Sequence, residues 1–136
     1  MALIVGAVLA LLVGLFATGV GLDRDRAFYP VVAIVIASLY ALFAVMGAST
    51  HALVLESLAG AVFIALAVAG FKWSLWVVAV ALAAHGIFDF VHAAIISNPG
   101  MPDWWPGFCL AYDVVAAGYL AGLLKSKRVR AAAAGL

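Results

Sequence analysis

Apolar residues run along this chain in blocks that match the thickness of a bilayer, separated by short polar breaks. A spanning helix needs about 20 mostly apolar residues. Five stretches reach that length: Ala2–Leu22, Phe28–Gly47, Ala52–Phe71, Trp73–Ser97 and Phe108–Leu124. The breaks are Asp23-Arg24-Asp25-Arg26, Gly47–Thr50, Lys72 and the turn-rich run Asn98-Pro99-Gly100-Met101-Pro102-Asp103-Trp104-Trp105-Pro106-Gly107. The pattern predicts an all-α integral membrane protein, a compact bundle of five transmembrane helices. Residues 1–124 then form a single transmembrane domain, followed by a basic and then alanine-rich tail over 125–136. The chain shows no internal repeat.

Composition narrows the class further. Of 136 residues, 69% are hydrophobic and 10% charged, where soluble domains carry about 45–50% and about 25%. A soluble domain of this size could not hide so much apolar surface. Disorder, a collagen-like repeat and nucleic-acid binding are excluded on the same figures. One cysteine, Cys109, allows neither an intrachain disulfide nor a zinc ribbon.

Charge gives the expected orientation. Met1–Gly21 carries no charged side chain, unlike a cleavable signal peptide with its basic start. The first basic residues follow the first span, which favours an N-terminus outside the cytoplasm. With five helices, Arg24, Arg26, Lys72, Lys125, Lys127, Arg128 and Arg130, all seven Lys and Arg of the protein, fall on one side. The positive-inside rule makes that side, and the C-terminus, cytoplasmic. The other side holds His51, Glu56, Asp89, His92, Asp103 and Asp113, with His85 deeper in the same half. The seven cations less Asp23 and Asp25 give +5 inside, and the four remaining acids give −4 outside. The expected setting is a bacterial cytoplasmic (inner) membrane, crossed several times.

Small residues suggest where helices meet. Gly6, Ala10, Gly14 and Thr18 recur every four residues on the first helix, as do Gly118 and Gly122 on the fifth, and such spacing lets backbones approach. Chance in an alanine- and glycine-rich chain would give the same spacing. Trp73, Trp76, Trp104 and Trp105 lie near the expected boundaries and read as interfacial anchors.

The polar residues inside the spans carry the candidate chemistry. An ionisable side chain near the centre of a spanning helix costs at least about 2.5–3.5 kcal/mol, so it has a partner or a purpose. His85, Asp89 and His92 stand at i, i+4 and i+7, one stripe two turns long. Glu56 is about one turn into the third helix, and Asp113 is about 9 Å into the fifth at about 1.5 Å per residue. Aligned helix ends bring Glu56, Asp89, His92 and Asp113 within about two turns of one depth.

Two imidazoles and three carboxylates suit a divalent metal, zinc or iron foremost, because borderline nitrogen ligands combine with anionic oxygens. Carboxylates and histidines from four helices hold di-iron centres in other bundles. No basic side chain lies on that side to neutralise the acids. Two other readings stand beside this one: metal-free proton chemistry among coupled carboxylates and histidines, and structural pairing that pins the bundle. His51 reads as a solvated residue near a Ser49 or Thr50 N-cap, and Asp103 as a solvated loop residue. Tyr112, Tyr40 and Ser38 could supply hydroxyls but read first as packing, and Cys109 as a small buried residue.

The stretch His85-Gly86-Ile87-Phe88-Asp89-Phe90-Val91-His92, followed by Trp104-Trp105-Pro106-Gly107-Phe108-Cys109, resembles a family of small multi-spanning bacterial membrane proteins, uncharacterised as to activity. The resemblance implies a membrane fold and no particular chemistry. The His85/Asp89/His92 pattern is loosely similar to the histidine boxes of membrane di-iron hydroxylases and desaturases, although those carry many more than three histidines. His-Glu-x-x-His and a Gly-rich phosphate loop are both absent.

The expected function is a metal-dependent membrane enzyme, hydrolase or oxidoreductase, acting on a lipid or other hydrophobic substrate. Glu56, His85, Asp89, His92 and Asp113 are the expected metal ligands, with Glu56, Asp89 and Asp113 also as acid–base groups. The alternatives are a cation- or proton-coupled transport or binding protein, which would need a homo-oligomer at this size, and an accessory subunit of a membrane complex. The lipid bilayer is the expected partner in each case.

Overall fold

The computed structural model describes residues 1–131 and is all-helical, in the order α1 (Ala2–Val20), α2 (Phe28–Met46), α3 (Thr50–Lys72), α4 (Leu75–Ile95) and α5 (Trp105–Lys125). There is no strand among the described residues. The alanine-rich end of the expected tail, 132–136, lies outside them. Helices of 19 to 23 residues are about 28–35 Å long at about 1.5 Å per residue. All five are long and apolar enough to cross a membrane.

Local chemistry sets the helix ends. Ser49 accepts from the Ala52 N–H at 3.2 Å and starts α3, as a hydroxyl does at an N-cap. Ser74 does the same for α4, so that helix begins at Leu75, not at the expected Trp73. α5 begins three residues before the expected Phe108, because Pro106 falls within its first turn, where the missing N–H has no helical partner to lose. Gly21, at φ 90°, closes α1 in the left-handed conformation that glycine adopts without strain.

α2 to α5 pack in chain order, and only α1 departs from it. α1 lies on α5, α5 on α4, α4 on α3 and α3 on α2, while α2 also reaches α4. α4 is therefore central, and its buried face carries Val78, Leu82, His85, Asp89 and His92. Large apolar side chains such as Ile4, Phe16, Val31, Leu58 and Phe90 point outward, as lipid-facing residues do and as few soluble monomers could tolerate.

The small residues of α1 are a packing surface. Gly6, Ala10, Gly14 and Ala17 are buried. A Cβ on Gly6 would strike the Phe108 carbonyl of α5, and one on Gly14 would meet the Tyr119 ring at 2.9 Å. Gly118 and Gly122 face open space, so the expected close approach on α5 is not made there. Gly6→Ala is expected to destabilise the protein by about 1–3 kcal/mol, the range for overpacking a close contact. Thermal unfolding in detergent checks this, with Gly118→Ala expected to stay at the wild-type midpoint.

Two helix ends matter for the site. At one end the guanidinium of Arg26 donates to the carbonyls of Phe71, Arg130 and Ala131, tying the α1–α2 connection to the last turn of α3 and to the segment after α5. All seven Lys and Arg belong to these connections or to the neighbouring helix ends. At the other end the loop after α4 folds back over α2, where a Cβ on Gly100 would overlap the Phe43 carbonyl. Trp73 and Trp104 are exposed there and at the basic end, like anchors. Trp105 instead packs edge-on against Phe43, with ring centroids 4.8 Å apart.

Candidate metal centre

Five ionisable side chains of the candidate set end up buried in the bundle, and they divide into two groups. The first is a triad on α4 and α5. His85 Nδ1 lies 2.7 Å from Asp113 Oδ2 and 3.3 Å from Asp89 Oδ2. The helical spacing of His85 and Asp89 puts both on one face of α4, and α5 brings Asp113 against that face. One ligand atom from each of the three residues lies within 4.8 Å of the others, so the group could hold a metal ion.

The second group is formed by Glu56 of α3 and His92 of α4. His92 Nε2 is 2.8 Å from Glu56 Oε1. The same oxygen accepts from Asn98 Nδ2 at 2.8 Å, and that amide also donates to the Tyr40 carbonyl at 3.0 Å. The Tyr40 ring stacks on His92 with centroids 4.1 Å apart. Phe63 packs edge-on against His85 at 4.6 Å, and Phe88 against His92 at 5.5 Å. Aromatic rings thus wall both imidazoles off from the outer surface.

His51 is exposed on the first turn of α3, and Asp103 is exposed in the loop before α5. Cys109 is buried one turn from Asp113 but outside the triad. Tyr112 turns to the Phe108 ring, and Ser38 bonds back to the Ile34 carbonyl of its own helix. Asn98 is the site residue the sequence pattern hides. Beside Pro99 and Gly100 it reads as a turn former, and its Oδ1 does accept from the Gly100 N–H at 3.3 Å. Its other end reaches into the bundle.

The electrostatics are unusual for a dry interior. Glu56 is 1% exposed, and Asp89, His92 and Asp113 are 0% exposed. Buried carboxylates normally have cationic or hydrogen-bonding partners. Here both oxygens of Asp89, Oδ1 of Asp113, Oε2 of Glu56 and Nδ1 of His92 make no hydrogen bond. The Tyr40 hydroxyl, beside Asp89, is also without a partner, so one unused donor stands among four unpaired carboxylate oxygens. All seven Lys and Arg lie at the opposite end of the bundle or beyond it, and none pairs with these acids.

A divalent cation fits this donor set. Two ligands at about 2.1 Å from one ion stand about 3.0–3.4 Å apart at tetrahedral or octahedral angles; the 3.3 Å separation of His85 Nδ1 and Asp89 Oδ2 lies in that range, and the 2.7 Å hydrogen bond to Asp113 would open by a few tenths of an ångström. A separate cavity of about 10 Å³ lies on the other side of His85, between Ala33, Ile36, Phe63, Ala81 and Leu82, and touches neither Asp89 nor Asp113. Comparison with known protein families, with curated proteins and with solved structures gave no match.

Proposed function

We propose that this chain is a multi-pass membrane protein that holds a divalent cation, zinc or iron foremost, between His85, Asp89 and Asp113. The observation that carries the reading is Asp89. It is fully buried, has no hydrogen bond on either oxygen, and sits against an imidazole and a second carboxylate. A cation supplies positive charge that no Lys or Arg provides there, and it takes up carboxylate oxygens that are otherwise unpaired. When bound it would act as a Lewis acid, and the aromatic wall of Phe63 and Tyr40 would keep bulk water from competing with the three ligands.

The proposed orientation follows the charge distribution. The end with Arg24, Arg26, Lys72 and the residues after Leu124 faces the cytoplasm of a bacterial inner membrane, and the Glu56–His92 end faces outward.

A second reading, enzymatic action on a lipid or other hydrophobic substrate, draws on an apolar groove of about 340 Å³. It is bordered by Met1, Ala2, Val5, Trp104 and Phe108 near the start of α5. Phe108 is five residues from Asp113, about 7–8 Å along the helix. Chemistry at the triad would require a substrate in that groove to bend inward past Cys109.

The deciding experiment is elemental analysis of the full chain, purified in mild detergent without chelator or polyhistidine tag, beside Asp113→Asn. Bound metal in the wild type, lost from the triad in Asp113→Asn with the helical circular dichroism unchanged, is the expected result. A well-folded wild type that takes up no zinc, iron or manganese would reject the proposal.

A further inference from the structure

The Glu56–His92 pair is not accounted for by the triad. It shares no side chain with His85, Asp89 and Asp113, and it falls outside the grouping those three make. Yet its chemistry repeats theirs. An imidazole nitrogen and a carboxylate oxygen stand 2.8 Å apart, a hydrogen bond that would open by a few tenths of an ångström to admit one ion. Both side chains are buried, and each keeps one further atom, Glu56 Oε2 and His92 Nδ1, without a partner.

Of the three carboxylates buried at this end of the bundle, one divalent cation at the triad would reach two, and Glu56 is the one outside it. Asn98 shows where the compensation would come from. Its amide points two N–H groups at oxygens, Glu56 Oε1 and the Tyr40 carbonyl, and these are hard oxygen donors of the type divalent cations take. The loop that carries Asn98 is the boundary of the bundle at this end.

We infer that Glu56 and His92, with the Tyr40 carbonyl behind them and Asn98 as the residue that positions Glu56, form a second divalent-cation site. The protein then binds two ions, an inner one at the triad and an outer one beneath the α4–α5 loop. Asn98 holds Glu56 in place when the outer ion is absent and yields when it binds.

The test is metal stoichiometry of the full chain in detergent, stripped with chelator and then equilibrated separately with Mn²⁺ and Zn²⁺. The wild type is expected to hold two ions, and Glu56→Gln and His92→Gln one each. Asp113→Asn should also hold one, and Glu56→Gln with Asp113→Asn none. Asn98→Asp adds a ligand charge beside Glu56 and is expected to tighten the outer ion at least tenfold. One ion in the wild type that survives both Glu56→Gln and His92→Gln would overturn the outer site and leave the triad standing. One ion that survives Asp113→Asn but not Glu56→Gln would do the reverse. No ion in folded wild type rejects both. Should the variants fail to fold, the wild-type count decides: two ions support the outer site, and one or none overturns it.

Discussion

Asp89→Asn is expected to remove the stabilisation that a divalent cation at the triad gives the wild-type protein. Mass action fixes the size of the effect: a ligand at 100 times its dissociation constant adds about 2.7 kcal/mol to a state that alone binds it. Titrating Zn²⁺ or Mn²⁺ into wild-type protein should therefore raise its unfolding midpoint steadily, while Asp89→Asn should rise only by the share that the outer ion gives, and Asp89→Asn with Glu56→Gln should stay flat. Asparagine keeps the shape of Asp89 and removes its charge, so the side chain still fits the space that is 0% exposed between α4 and α5. Without metal the variant should be at least as stable as wild type. Neutralising one carboxylate relieves the repulsion between Asp89 and Asp113, which both crowd His85 Nδ1. A wild-type midpoint that ignores metal would contradict the expectation, and so would an Asp89→Asn midpoint that rises in parallel with it.

Much of this architecture is legible in the amino-acid pattern, for a physical reason. Five apolar blocks of spanning length leave the backbone one way to satisfy its own hydrogen bonds in lipid, the helix, and the structure has helices at all five. Their ends shift where a single side chain decides them, as Ser74 and Pro106 do. The triad is partly legible too. His85 and Asp89 share a face by helical periodicity alone, so only Asp113 needed the tertiary fold.

What periodicity cannot supply is the order of packing. Nothing local says that α1 avoids α2 and lies on α5, or that α4 takes the centre. Grouping five polar residues by depth therefore merges two clusters that the packing separates, because Glu56 comes in on α3 and Asp113 on α5. Asn98 was hidden by its neighbours: Pro99 and Gly100 give it a turn conformation, and that same turn aims its amide at Glu56.

The largest stability contrast should come from removing the polar triad all at once compared with removing one member. Breaking a buried charged group by deleting one partner typically costs about 3–5 kcal/mol, whereas replacing the whole group with well-packed apolar residues is neutral or stabilising by about 1–4 kcal/mol. His85→Leu alone leaves Asp89 and Asp113 facing each other with no imidazole between them, in a space without Lys or Arg, and should fall in the costly class. His85→Leu with Asp89→Val and Asp113→Val removes every charge from that layer of the bundle. It places apolar side chains against Phe63, Leu82 and Cys109, and in metal-free detergent it should unfold at or above the wild-type midpoint. The crossover is informative because metal reverses it: with saturating Zn²⁺ the wild type should gain more than the triple variant, which keeps only the outer site. A triple variant less stable than His85→Leu would mean that the three side chains hold the helices together through their own hydrogen bonds. The observed 2.7 Å contact between His85 and Asp113 would then be a structural pin and not the rim of a cation site.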